Sequence, residues 1–173
     1  VPALTALKCK EDFCKRVAGV RCDARLTLMT QGQAVRTERG QLQWTDYGIS
    51  GIPVFQLSRM AAYALQEEKH TTVDINFLPD YTESKSDECD CSFWTDRWIK
   101  QGGQTMEQFV TGIVNKKIGL TLLKLAGIKE QVMAQDVPVS HRKKLEKLYS
   151  CLTVTVKGTN SFEQAQVCAG GVD

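Results

Sequence analysis

Two short stretches hold the residue types most suited to chemistry. The first is "DYGISGIP", residues 46–53, where Gly48 and Gly51 bracket Ser50 and Pro53 follows. A glycine-bearing loop that opens a helix presents free backbone N–H groups and the positive end of the helix dipole, which suits an anion or a flavin carbonyl. The same residues also fit a purely architectural role, with Ser50 capping the helix, Pro53 in its first turn and the glycines supplying positive φ. No Gly-Lys-Ser/Thr follows, so this is not a phosphate loop. The second stretch is "AQVCAGGV", residues 165–172, with Cys168 beside Gly170 and Gly171. Cys168 would act as a nucleophile only with an activating base or a helix N-terminus to lower its pKa. His141 is the one imidazole near it in sequence, and the expected catalytic set in this chain is empty.

Other candidates are weaker. Cys89 and Cys91 form a Cys-x-Cys pair, but zinc takes four ligands and no second pair or adjacent histidine accompanies them, so no metal is expected. Arg142, Lys143, Lys144 and Lys147 lie on one charged helical face without interleaved aromatics, the pattern of a solvated surface. Trp94 and Trp98 share a face that reads as packing. The seven cysteines are irregularly spaced, which favours reduced thiols and a cytoplasmic location. A net charge of +2 gives no reason to expect nucleic acid or an anionic membrane as partner. No signal peptide or membrane-length apolar run is present, and no Gly-x-Gly-x-x-Gly marks a Rossmann fold. The chain opens on Val1–Pro2 without an initiator methionine, as expected of a processed form or a fragment.

The elements that would position these residues alternate in texture. Residues 22–30 have a period of two, and "QAVRTERGQLQW", residues 33–44, reads as a hairpin turning at Arg39–Gly40. An amphipathic helix is predicted over 53–66, with Val54, Leu57, Met60, Ala61, Ala64 and Leu65 on one face. A strand follows over 71–78. From 79 the texture is helical. Gly102–Gly103 breaks one helix, Thr105 and Gln108 form a capping box, Gly127 stops another helix, and Ser140 caps the last. Strands return at 152–159 and 165–172. The predicted class is α+β: a discontinuous β-barrel-like subdomain, 1–78 and 150–173, with an inserted helical subdomain, 79–149.

Several pieces taken together resemble one family. "LQWTDYGISGIPVFQLSR" resembles a Thr-x-x-Gly-x-Ser-Gly-Pro segment of the bacterial FAD-dependent, aminoacetone-oxidase-like or BaiN-like flavoproteins. "LTVTVKGTNSFEQAQVCAGGVD" resembles a second segment of that family, ending Ala-Gly-Gly-Val, and "PALTALKC" resembles the lead into its inserted domain. The resemblance implies an insert domain of an FAD-dependent oxidoreductase, built as a barrel-like module with a helical part. Its partners would be the flanking FAD-binding domain of the same polypeptide and an unknown small-molecule substrate. FAD would be held mainly by that flanking domain, and the isolated insert would be inert. Thr45, Gly48, Ser50, Gly51, Gly170 and Gly171 match the two segments, which implies that they face the flavin and substrate cleft. This chain departs from the pattern at Ile52, which separates Gly51 from Pro53, and at Cys168, where threonine is usual. A stand-alone module binding a protein or small ligand is the alternative expectation. An RNA-binding barrel, prompted by the basic face at 141–147, is a third.

Overall fold

The computed structural model describes residues 1–82 and 90–170, with the side chains of 82 and 90–92 excepted. The chain divides into two compact units, Val1–Ile75 with Thr153–Asp173, and Asn76–Leu152.

The first unit is built on strands. β1 (Pro2–Ala3) pairs antiparallel with β8 (Val167–Cys168), so the first and last elements form a small ladder of their own. The other six strands are β2 (Leu7–Cys9), β3 (Arg21–Thr30), β4 (Gln33–Thr45), β5 (Gly48–Ser50), β6 (Thr71–Asn76) and β7 (Leu152–Thr159). They close in the order β2–β5–β4–β3–β6–β7, which leaves no free sheet edge among them. Period-two alternation fills the interior. Ala24, Leu26 and Leu28 point inward from β3, Val73 and Ile75 from β6, and Val154 and Val156 from β7. Trp44, 1% exposed, lies near the end of β4 and meets Phe13 edge-on at 5.9 Å. A single helical turn, α1 (Cys14–Val17), sits between β2 and β3.

α2 (Ile52–Gln66) lies against β4, β3 and β1 through Val54, Leu57 and Ala61, all fully buried. Buried Ser58 ties it down: its hydroxyl donates to the Phe55 carbonyl at 2.7 Å and accepts from the Thr5 N–H at 3.3 Å. The expected fold class, α+β with a β body interrupted by helices, is the one observed.

Two expectations about strands are corrected. Residues 33–44 do not turn at Arg39–Gly40. They belong to the single strand β4, which pairs with β3 down to Thr30↔Gln33. The reversal is the two-residue loop Gln31–Gly32, with φ of 52° and 77°, the double positive φ that hairpin twist demands. Gly40 stands in mid-strand at φ 159°, where an added Cβ would lie 3.5 Å from the Pro53 ring, an ordinary van der Waals contact. The strand expected over 165–172 is, among the described residues, only Val167–Cys168, since β1 offers just two residues to pair with.

In the second unit α3 (Pro79–Thr82), α4 (Asp90–Lys100), α5 (Met106–Val110), α6 (Lys116–Ala126) and α7 (Val139–Ser150) follow one another. Thr105 and Gln108 form the expected capping box, and Gly127 closes α6 at φ 78°. Ser140 is not a cap. Pro138 holds that position for α7 without a side-chain bond, and the hydroxyl of Ser140 lies beside His141 Nδ1 instead. The core gathers Met106, Phe109, Leu122, Leu123, Leu145 and Tyr149. Trp98 stacks on Phe109 at 4.1 Å and donates through Nε1 to Glu146 at 2.7 Å, while Trp94 meets Tyr149 at 5.2 Å.

Candidate functional site

The stretch 45–51 folds as a hairpin and strand, not as an open loop. Thr45 ends β4 and faces Gly48 across a two-residue turn, Asp46–Tyr47. Tyr47 anchors that turn: its carbonyl accepts from Cys9 N–H at 2.9 Å and its hydroxyl from Asn160 Nδ2 at 3.1 Å. Gly48 then runs so close to β2 that a Cβ would strike the Leu7 carbonyl oxygen and stand 2.8 Å from Cys9 N. Ser50 lies opposite Gln43 inside β5. It is therefore not the helix cap. Gly51 is the cap residue of α2, at φ 105°, and an added Cβ would strike the Gln41 carbonyl oxygen. Both glycines thus have a reason internal to the barrel, the close passage of β5 and its exit between β2 and β4. Thr45 Oγ1 is buried without a hydrogen-bond partner among the described residues.

The return segment reaches a different place. Val1 N donates to the Ala169 carbonyl at 2.7 Å and Ala169 N returns a bond to the Val1 carbonyl at 2.9 Å, extending the β1–β8 ladder. Beyond it Gly170, at φ 104°, lies beside Tyr63 of α2, whose hydroxyl is 3.9 Å from where a Cβ would stand. Between this ladder and the outward face of α2 is a cleft of about 540 Å³. Arg36 of β4 and Phe55, Gln56, Arg59 and Tyr63 of α2 line it with Leu4. Leu4 has φ 48°, a conformation uncommon for a side chain of its size.

Gly170 is the sequence-derived candidate that lies in this cleft. Thr45, Gly48, Ser50 and Gly51 sit together at the β4–β5 hairpin and do not line it, and Gly171 falls outside the described residues. Arg36, Phe55, Arg59 and Tyr63 are not among the residues that the resemblance implies for the cleft. The signal for the last three was available: an otherwise polar helical face carries two aromatic residues eight apart, one on either side of an arginine.

The thiols divide by burial. Cys9 and Cys14 are buried and hydrogen-bonded to each other, which holds the Cys9 thiol up and the Cys14 thiol down. Burial pushes Cys22 up to about 12. Cys168 is exposed at the cleft. Cys89 and the side chain of Cys91 lie outside the described residues. Among the described residues no group of three or more His, Cys, Asp or Glu side chains could hold a metal ion, and no helix is long and apolar enough to cross a membrane.

The basic stretch 141–147 is partly committed to its own unit. Arg142 lies over the Trp98 ring at 4.8 Å and donates to the carbonyls of Val137 and Gln135, both at 2.8 Å.

A family model described as "HI0933-like protein barrel and H2TH domain" matches residues 1–167. A curated relative, the 3-dehydro-bile acid delta(4,6)-reductase of Clostridium scindens, is 37% identical over 172 residues. The match takes in 99% of this chain and 41% of that protein, so the chain spans about two-fifths of the relative's length.

Proposed function

The chain belongs to the HI0933-like family, the BaiN-like flavoprotein family its motifs resemble, as the barrel and H2TH part, and on that footing we propose that it is the substrate-side insert of an FAD-dependent oxidoreductase. The observation that carries the proposal is the β1–β8 ladder. It sets the incoming and outgoing backbone side by side, as a module spliced into another domain needs, and it puts the cleft at that junction. The two parts proposed are the barrel-like subdomain, 1–78 and 150–173, and the helical subdomain, 79–149. The flanking FAD-binding domain of the same polypeptide is the proposed partner.

The cleft residues fit the border of a cofactor better than its holder. Ala169 and Gly170 are small enough for close backbone approach, and Arg36 and Arg59 offer cationic donors. The thirteen glycines include no Gly-x-Gly-x-x-Gly for a pyrophosphate. FAD, when bound by the flanking domain, supplies the hydride chemistry. This chain would contribute walls: Phe55, Tyr63 and Leu4 exclude water from the reacting face, and the hairpin at Thr45–Ser50 with Gly51 fixes the start of α2 beside it. The relative's substrate, by its name, is an acid bearing a ketone and conjugated double bonds. The proposed reaction class for the whole protein is accordingly reduction of a carbonyl-activated double bond in a small organic molecule.

The test is a flavin absorbance spectrum of the full-length gene product purified without added cofactor, beside that of this chain alone. The expected result is a yellow full-length protein and a colourless chain without turnover. A full-length protein that is colourless and takes up no added FAD would overturn the proposal in favour of a stand-alone binding module.

A further inference from the structure

The charges around the cleft do not balance. Arg36 and Arg59 are the two charged side chains that line it, and no carboxylate lines it among the described residues. Arg36 is held by Glu38 at 2.5 Å, which leaves its charge compensated. Arg59, on the exposed face of α2, makes no ion pair and no hydrogen bond among the described residues. One uncompensated guanidinium therefore stands in a cleft whose other walls are mainly apolar or aromatic.

Gln56 precedes Arg59 by three residues, so the two side chains leave the same face of α2 and both line the cleft. An amide and a guanidinium set this way present several N–H donors to one anion. Phe55 and Tyr63 flank them along the helix, and Leu4 lies in the opposite wall with its backbone in the left-handed region. A cleft of about 540 Å³ is within the range that holds a small organic ligand, and its mixture of apolar wall and few converging donors is the usual composition of such sites. The ligand that matches is a molecule with an apolar body and one anionic end.

We infer that this cleft binds the carboxylate of an amphipathic organic acid, with Arg59 as counter-ion, Gln56 as second donor, and Phe55 and Tyr63 against the apolar body. The inference rests on the substrate-side reading above. Arginine suits the role because its planar fork meets both oxygens of a carboxylate at once. A nucleotide phosphate would use the same cation, and the experiment separates the two.

The full-length protein, as purified, is titrated by calorimetry with 3-oxo-4-cholenoic acid and with its methyl ester, which keeps the apolar body and lacks the charge. The acid is expected to bind about tenfold more tightly than the ester, as a charge-assisted pair requires. Arg59→Met should bring the acid down to the ester's affinity and leave the ester unchanged, Arg59→Lys should keep part of the preference, and Gln56→Ala should cost the acid roughly threefold. Equal affinities for acid and ester would overturn the inference, as would an Arg59→Met effect of the same size on both. Loss of flavin absorbance in Arg59→Met, with acid binding intact, would assign Arg59 to a phosphate and overturn it too. A colourless wild type that still prefers the acid through Arg59 would sink the flavoprotein reading alone. A yellow wild type without the preference would sink this inference alone.

Discussion

At the scale of single residues, the glycines at 48 and 51 look alike in sequence and do separable work. Gly48 is required by distance: β5 passes β2 so closely that any Cβ meets backbone, which cannot swing aside as a flexible side chain could. Gly51 is required by both distance and conformation. Gly48→Ala should therefore destabilise the chain by about 3 kcal/mol, the range of overpacking against backbone, whereas Gly103→Ala, with nothing within 4 Å of its Cβ, should stay within about 0.5 kcal/mol of wild type. Urea denaturation of the two variants decides it, and equal midpoints would refute the steric account. That this stretch is special could be read directly from "GISGIP". Why it is special could not, because the reason lies in Leu7, Cys9 and Gln41, which only the closed sheet brings beside it. The same gap explains Arg59 and Tyr63: amphipathic spacing revealed the buried face of α2, while the use of the outward face depends on a segment more than a hundred residues away.

At the scale of elements, the β3–β4 hairpin shows how a strong local signal can mislead. Arg39–Gly40 combines a glycine with charged neighbours, yet Gly40 sits in mid-strand, paired with Ala24 of β3. Gln31–Gly32, a less obvious pair, makes the turn because the register Thr30↔Gln33 leaves it alone as the two-residue connection. Since Gln31 adopts φ 52°, a conformation asparagine tolerates better, Gln31→Asn should stabilise the chain by roughly 0.5–1 kcal/mol. Gly32→Ala should cost about 1 kcal/mol for the opposite reason. Thermal melts of both variants test the assignment, and a destabilised Gln31→Asn would count against a turn at this position. Two features whose reasons are local were legible. The capping box at Thr105 and the glycine stop at Gly127 follow from bonds within four residues, and both occur as read. Ser140 failed as a cap because Pro138, two residues earlier, already fixes the φ from which α7 starts.

At the scale of the whole molecule, the β body is completed from both ends of the sequence. β7, which closes the barrel between β2 and β6, is separated from β6 by the entire helical unit, and β8 returns to β1. The alternating texture of 152–159 made that discontinuity readable, but the pairing of Pro2 with Cys168 carried no periodic signal because two residues are too few to show one. The ladder gives the barrel a property that an insert needs: its continuity does not depend on where the covalent ends fall. Because the 2.7 Å and 2.9 Å bonds hold Val1 beside Ala169, a short linker from the chain after Gly170 to Val1 should strain nothing. Opening the chain instead at Gln31–Gly32, an exposed turn whose one further backbone bond among the described residues is Gln31 N–H to the His70 carbonyl at 2.9 Å, should leave every strand pair intact apart from the reversal itself. The permuted chain, running from Gly32 through the linker to Gln31, is expected to unfold cooperatively, with a melting temperature within about 8 °C of the parent, as the loss of one turn's connectivity implies. Circular dichroism against temperature measures this. A permutant without a cooperative transition would mean that the β1–β8 ladder forms only under the constraint of free ends, and the module could not then be carried inside another domain.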